Sequence, residues 1–195
     1  MKIAIVCFDN FTDIDVFLPW DILNRVRLVG GMSEWDVQLL GTETTHISMS
    51  GLRIPMTGNI SDIPIADAVI FASGKGIQDL YKNQEYLDKI HIDPQRQLIG
   101  SMCSGALLLG AKNLLTGKKA TTYPTVVDQL KQFHVDVIEQ SFVNEGNVST
   151  AAGCFAAQDL SAWIIKTLVN EKMVDIVLET VQPVGQGLYF QKTQI

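Results

Sequence analysis

The sequence has few cysteines, no basic cluster and no long apolar run, and each shortage excludes a class of protein. Its three cysteines are an odd number, which indicates free thiols rather than a disulfide framework. The 15 Lys and Arg residues stand against 21 Asp and Glu, a net charge of −6, so we expect neither nucleic acid nor a membrane surface as a partner. No apolar run approaches the roughly 18 residues of a membrane helix, and residues 1–8 are too short for the core of a signal peptide. We therefore expect a cytoplasmic protein.

The chain also lacks the spacings that mark metal and phosphate sites. His46, His91 and His134 are far apart and share no ligand spacing, so we expect no metal ion and no cofactor. Lys75-Gly76 lacks the remaining residues of a phosphate-binding loop.

Short apolar runs alternate with longer amphipathic stretches along the chain. Apolar runs of strand length predict strands at 3–8, 35–40, 68–72, 98–102, 119–122, 135–138, 142–143 and 148–150 and a hairpin within 47–56. Helical periods predict helices at 13–29, 77–90, 104–113, 125–133 and 155–170. Strands without polar alternation belong to a parallel sheet that is covered on both faces. We therefore predict an α/β fold, a doubly wound, flavodoxin-like three-layer sandwich that forms a single domain over residues 1–195.

The strand-to-helix junction best suited to catalysis is Ser101-Met102-Cys103-Ser104-Gly105. A nucleophile on such a turn needs small residues two positions before and after it, as Ser101 and Gly105 are. The start of a helix favours the thiolate form of Cys103, and the amide of Ser104 is placed to stabilise negative charge on a substrate. We predict that Cys103 is a nucleophile; the alternative is a buried cysteine that fills a strand end.

Two other strand ends are candidates to complete this site. Asp15 follows the first strand among apolar neighbours, which suits a group that gives and takes a proton, whereas helix capping is its simpler role. Gly74 has no Cβ, so its backbone amide can approach a ligand as a second oxyanion donor; a plain turn is the alternative. Of the other cysteines, we expect Cys7 to be a buried strand residue, and Cys154 to be packed or partly reactive at another helix start.

These junctions, in this order, resemble the ThiJ/PfpI family of the class I glutamine-amidotransferase-like superfamily over residues 1–170. Family members have an acid-x-x-x-Pro pattern, matched here by Asp15 and Pro19, and a cysteine elbow, matched by residues 101–109. Further matches support the resemblance: Ser73-Gly74, Ala120-Thr121-Thr122 and residues 149–153. The resemblance implies a homodimer and a small-molecule substrate, with Cys103 as the functional cysteine.

Departures from the family pattern narrow the implied activity. Protease-like members have His directly after the cysteine, where this chain has Ser104, and many have His after the Ala-Thr-Thr strand, where it has Tyr123. The missing Cys–His pair disfavours an amidase or peptidase. Leu18 also replaces the usual glycine before the proline. Asp15, Cys103 and Ser104 together look most like the isonitrile hydratase branch, which implies catalysis by an acid, a cysteine and a hydroxyl.

The reaction implied by this branch converts an isonitrile into an N-substituted formamide. We expect a weakly polar substrate in a pocket edged by Phe17, Trp20 and Tyr123. Two alternatives stay open. One is a glyoxalase- or amidase-like thiol enzyme; the other is a redox or ligand sensor in which Asp15 stabilises a sulfinic acid on Cys103.

Overall fold

The computed structural model describes residues 1–189 and is built around a seven-stranded sheet. In spatial order, the strands are Phe142–Glu145 (β10), Val148–Ala151 (β11), Leu98–Met102 (β7), Ala68–Phe71 (β6), Lys2–Val6 (β1), Asp36–Gly41 (β2) and Gly58–Asn59 (β5), numbered in chain order. Neighbouring strands are parallel except for β10, which runs antiparallel to β11. The predicted mostly parallel, flavodoxin-like sheet is confirmed.

Two small ladders lie outside the main sheet. Thr45–Ile47 (β3) pairs antiparallel with Arg53–Pro55 (β4), which forms a hairpin close to the predicted one. Lys119–Ala120 (β8) pairs parallel with Asp136–Val137 (β9), so two of the predicted late strands form a ladder of their own rather than extending the main sheet.

The helices form two groups that pack against the sheet. They are Asp13–Leu28 (α1), Ile77–Leu80 (α2), Gln84–Lys89 (α3), Ala106–Ala111 (α4), Val127–Lys131 (α5), Ala157–Leu168 (α6) and Glu171–Glu179 (α7). One group consists of α1, α6 and α7, and the other of α2, α4 and α5. The first group contacts β7 through α6, and the second contacts β7 through α4. This arrangement covers the two faces of the sheet, which explains why its central strands lack a regular alternation of polar and apolar residues.

Two helical features differ from the sequence-based expectation. The predicted helix at 77–90 is divided into α2 and α3, because the side chain of Asn83 accepts the backbone N–H of Tyr86 at 3.1 Å and so starts a new helix. The helix α7 was not predicted; Asn170 caps it by accepting the N–H of Met173 at 2.9 Å. Its buried side chains pack on the same face as α1 and α6.

The central strands β1, β6 and β7 are buried almost completely, with only Lys2 exposed. Within residues 1–189, no helix is both long enough and apolar enough to cross a lipid bilayer. The predicted domain ran to residue 195, and its segment 190–195 lies outside the described residues.

The order of the strands decides which residues meet. The strands β11, β7, β6 and β1 are consecutive neighbours and run in the same direction, so the segments that follow them emerge at one edge of the sheet. In sheets of this kind, ligands bind at that edge. The segments that follow these four strands contain Asp15, Gly74, Cys103 and Cys154, so all four residues come to this edge.

Candidate active site

Cys103 occupies a strained turn directly after β7. Its φ of 46° is a left-handed conformation that residues with a side chain rarely adopt. The hydroxyl of Thr122 donates a hydrogen bond to the Cys103 carbonyl at 3.0 Å and helps to hold this turn. A Cβ on Gly105 would lie 2.5 Å from the carbonyl oxygen of Phe71, so glycine is the residue that lets the following helix pass so close to β6. Such a turn is the geometry of a nucleophile elbow.

Asp15 lies in the first turn of α1 and is fully buried. The hydroxyl of Ser73 donates a short hydrogen bond to its Oδ2. Its Oδ1 is buried and has no hydrogen-bond partner among the described residues. Thr12 occupies the N-cap position of α1, so the structure does not support capping as the role of Asp15. A buried carboxylate oxygen without a partner is costly, and such groups concentrate at functional sites.

The carboxylate of Asp15 meets two thiols. Its oxygen and the Sγ atoms of Cys103 and Cys154 all lie within 4.8 Å of one another. Burial, and then the negative charge of Asp15, raise the pKa of the Cys103 thiol well above its ordinary range, and the backbone N–H of Gly153 offsets only part of this. Burial, and then the hydrogen bond and the charge of Asp15, raise the pKa of Cys154 to about 11. The cluster therefore retains thiol protons at neutral pH.

The expectation that the helix start makes Cys103 a thiolate is wrong. Its side chain is only 3% exposed, and the carboxylate of Asp15 lies beside it. Burial and a like charge both disfavour the thiolate, and the helix α4 that was expected to favour it is short and begins only after a 3₁₀ turn at Cys103–Gly105. Attack by this sulfur must therefore be coupled to the movement of a proton.

A cavity of about 450 Å³ opens onto this cluster. Besides the cluster, its wall contains hydroxyl, amide, ammonium and apolar groups, from Thr12, Met49, Ser73, Gly74, Lys75, Gln78, Ser104, Tyr123, Thr125 and Val126. The volume suits a small molecule.

The three predicted pocket residues lie in different places. Tyr123 lines the cavity, but Phe17 and Trp20 are not among its lining residues. Phe17 packs edge-to-face on Phe11 with ring centroids 6.2 Å apart, and Trp20 is 38% exposed. On a helix, these residues lie roughly 200° and 140° around the axis from Asp15, so they face away from the site that Asp15 enters.

The two predicted oxyanion donors are adjacent. The backbone N–H of Gly74 points at the hydroxyl of Ser104, with 3.4 Å between nitrogen and oxygen. Gly74 has a φ of 151°, and a Cβ there would lie 2.1 Å from the carbonyl oxygen of Asn10, so this close approach requires glycine. The role of the Gly74 and Ser104 amides as oxyanion donors stays a prediction.

Sequence reasoning assigned no role in the site to Ser73 or Thr12, and it left Cys154 as either packed or partly reactive. Ser73 holds Asp15, Thr12 has its hydroxyl 3.1 Å from that of Ser73, and Cys154 supplies the second thiol. The signal for Ser73 was its position at the end of a buried strand. The signal for Cys154 was its position after another strand, β11. The sequence did not show that β11 pairs with β7 in the sheet.

A larger groove of about 770 Å³ lies on the other side of Tyr123, between Thr121 and Gly153. It contains neither a cysteine nor Asp15. The reactive groups all face the smaller cavity, which is therefore the candidate active site.

The fold and the site define an α/β protein that has a cysteine elbow and a buried acid at one edge of a flavodoxin-like sheet. Residues 1–167 match the DJ-1/PfpI family, and the chain belongs to this family.

Relatives within and around this family share moderate identity with the chain. The isonitrile hydratase of Pseudomonas putida is 27% identical over 179 residues, which cover 91% of this chain and 76% of the relative. The glutathione-independent glyoxalase DJ-1 of Schizosaccharomyces pombe is 25% identical over 166 residues, which cover 78% and 83%. The crystal structure of a ThiJ/PfpI family protein from Pseudomonas syringae superposes with a TM-score of 0.80 at 24% identity, covering 93% of this chain and 75% of the other. That structural likeness supports the fold.

Proposed function

We propose that the protein hydrates isonitriles to N-substituted formamides, with Cys103 as the nucleophile and Asp15 as the acid and base. The observation that carries the proposal is the Asp15 carboxylate beside the Cys103 thiol, with one oxygen, Oδ1, that has no hydrogen-bond partner among the described residues, in a cavity whose described lining contains no histidine. The isonitrile hydratase relative, at 27% identity, supports the same chemistry.

The first step requires a nucleophile and a proton at the same carbon atom. A substrate carbon at roughly 3–3.5 Å from both reacting groups fits between them, because the sulfur and the carboxylate lie within 4.8 Å of each other. The Cys103 sulfur forms a bond to the terminal isonitrile carbon. The proton shared by Cys103 and Asp15 moves through the carboxyl group to that same carbon. The product is a thioimidate, and Asp15 is left as a carboxylate.

In the second step, Asp15 acts as a base. It takes a proton from water, whose oxygen adds to the thioimidate carbon, and the proton passes to the substrate nitrogen. The carbon–sulfur bond then breaks, the C–O bond becomes the formyl carbonyl, and the hydroxyl proton returns to the Cys103–Asp15 pair. The balance is one isonitrile and one water for one formamide.

The remaining groups orient the reactants. Ser73 fixes the carboxylate by donating to Oδ2, which leaves Oδ1 free to exchange the proton. In this proposal, the hydroxyl of Ser104 orients water, and the amides of Gly74 and Ser104 stabilise negative charge as it develops. The ring of Tyr123 and the side chains of Met49 and Val126 offer apolar contacts for the substituent of the isonitrile.

The test is incubation of the purified protein with cyclohexyl isocyanide and detection of N-cyclohexylformamide by mass spectrometry. In D₂O, the formyl carbon should carry deuterium, since the exchangeable proton of the pair moves to it. Cys103→Ala should abolish turnover, and Cys7→Ala, which alters a thiol buried in the sheet, should retain it. No formamide from the unaltered protein would refute the proposed function, and turnover by Cys103→Ala would refute the mechanism.

A glyoxalase-like reaction on a 2-oxoaldehyde is the second candidate. The relative from S. pombe favours it, and the same thiol and acid would supply the nucleophile and the proton transfers. Methylglyoxal consumption, measured beside isocyanide turnover on the same preparation, separates the two. The substrate with the higher kcat/KM by at least tenfold identifies the reaction.

We also infer that the protein acts as a homodimer in the cytoplasm. Its three cysteines are all free, which fits a reducing compartment, and the family resemblance supports the dimer. Sedimentation velocity at micromolar concentration should give the mass of two chains, and a single 21.5 kDa species would contradict the dimer.

A further inference from the structure

Cys154 lies in the reactive cluster but has no part in the proposed hydration. Its position follows from the sheet: β11 lies parallel beside β7, and Ala151 is paired with Met102. The chain therefore leaves both strands at the same level, and the two cysteines follow as neighbours. Their Sγ atoms lie within 4.8 Å of each other and both reach the cavity.

The surroundings of Cys154 leave room for its sulfur to approach Cys103. Cys154 is only partly buried, and the next residue, Phe155, is 83% exposed. On its other side, Gly153 has no heavy atom of another segment within 4 Å of the place where a Cβ would stand. A disulfide bond is about 2.05 Å long, so the two sulfurs need to close a gap of roughly 2.7 Å or less. We expect movement of this partly exposed segment to close that gap.

We propose that Cys103 and Cys154 form a reversible disulfide, in which a hydroperoxide oxidises Cys103 and Cys154 resolves the product. This inference does not rest on isonitrile turnover; it rests on the two thiols and the acid beside them. Its consequence for the proposed function is that oxidation blocks the nucleophile and that a reducing thiol restores it.

The chemistry balances in two steps. The Cys103 sulfur attacks the terminal oxygen of the hydroperoxide; an S–O bond forms, the O–O bond breaks, and the departing oxygen takes a proton from the Cys103–Asp15 pair and leaves as an alcohol, or as water from hydrogen peroxide. The Cys154 sulfur then attacks the sulfur of the Cys103 sulfenic acid; an S–S bond forms, the S–O bond breaks, and water leaves with the Cys154 proton. Two thiols and one hydroperoxide give one disulfide, one alcohol and one water.

Cys103 stands on the strained elbow turn, the geometry that presents a nucleophile to the cavity, and this favours it as the sulfur that is oxidised first. The buried Oδ1 of Asp15 has no partner and is free to pass a proton to the departing oxygen. Cys154 is the more accessible of the two thiols, which suits the sulfur that moves to close the bond.

The experiment counts thiols in the full chain carrying Cys7→Ala, which leaves only the two cysteines of the cluster. The reduced protein is treated with an equimolar amount of hydrogen peroxide, unfolded in denaturant and titrated with a thiol reagent. The expected count falls from two per chain to none and returns to two after dithiothreitol. Mass spectrometry of the unreduced digest should show the peptides of Cys103 and Cys154 joined, with the loss of two hydrogens.

The variant Cys154→Ser identifies the order of the steps. Without the resolving thiol, Cys103 should accumulate as a sulfenic acid that dimedone traps, and no joined peptide should form. Three results would overturn the proposal: a count that stays at two, a Cys103 that passes to sulfinic acid while Cys154 remains alkylatable, or a disulfide that joins two chains on a non-reducing gel. Isocyanide turnover of the reduced protein is measured separately, so failure of the proposed hydration leaves the thiol count unaffected, and the reverse also holds.

Discussion

Ser73→Ala tests whether the position of the Asp15 carboxylate matters for catalysis. Ser73 is 4% exposed, and its hydroxyl donates to Oδ2 of Asp15. The substitution removes this donor and leaves a fully buried carboxyl group without a described partner on either oxygen. Alanine should adopt the backbone conformation of residue 73 without strain. The main change is therefore the loss of one hydrogen bond to a charged group.

The size of the effect follows from that bond. A hydrogen bond to a charged group contributes about 1.5–3 kcal/mol. If the reaction uses Asp15 in the orientation that Ser73 fixes, this energy is lost from the transition state, and kcat/KM should fall roughly 10- to 150-fold. The loss should appear mainly in kcat, because Ser73 acts through Asp15. The free energy of unfolding should fall by a similar amount, about 1–3 kcal/mol.

The assay is formamide production from cyclohexyl isocyanide at several substrate concentrations, together with urea unfolding. Ser161→Ala is the matched control: Ser161 is also fully buried, on α6, but its hydroxyl has no partner among the described residues. Removing it should change neither kcat/KM nor stability by more than a small amount. Ser73→Thr retains the hydroxyl and should recover much of the activity. Equal kcat/KM for Ser73→Ala and Ser161→Ala, with both proteins folded, would refute the role assigned to Asp15.

Three further substitutions test the electrostatics and packing of the molecule. Asp15→Asn removes the negative charge that raises the pKa of Cys103, so iodoacetamide at pH 8 should alkylate that thiol faster, about tenfold for each unit by which the pKa falls; a slower rate by mass spectrometry would contradict this. Gly105→Ala places a Cβ 2.5 Å from the carbonyl oxygen of Phe71, and urea unfolding should show a loss of roughly 1–3 kcal/mol. Burial raises the pKa of Cys7 to about 12, so its protonated form stabilises the fold below pH 9 and this contribution is lost as the pH rises. Unfolding at pH 8, 9 and 10 should therefore show a decline of up to about 1.4 kcal/mol per pH unit that is smaller in Cys7→Ala.

The fold was predictable because the composition of its strands indicates that they are buried. The runs that became β1, β6 and β7 show no regular polar alternation, with Ser101 as the one polar interior residue, and that pattern occurs when both faces of a sheet are covered. The elbow was predictable for a local reason, since Gly105 must pass close to β6. The helix α7 was missed because its stability comes from packing on α1 and α6 rather than from its short sequence pattern.

The site was less predictable, because its members come from different strand ends. Cys154 joins Cys103 only through the pairing of β11 with β7, which the chain alone does not reveal. The pKa of Cys103 depends on how deeply the folded chain buries its sulfur, and on the carboxylate of Asp15 that α1 places beside it. The helix start is a local feature that indicates a lowered pKa for Cys103. Burial and the carboxylate of Asp15 depend on the whole fold, and they raise this pKa.

That raised pKa bears on which reaction the pair is suited to. Acyl transfer by a cysteine needs a thiolate made by a base that keeps the proton away from the attacked carbon. Here burial and Asp15 keep a proton within the pair. Cys103 is therefore a weak nucleophile in a reaction that depends on the thiolate. Hydration of an isonitrile needs the proton at the carbon that the sulfur attacks, and the carboxyl group of Asp15 has an oxygen within 4.8 Å of that sulfur. The property that weakens Cys103 as an amidase nucleophile therefore favours it as one half of an acid–thiol pair.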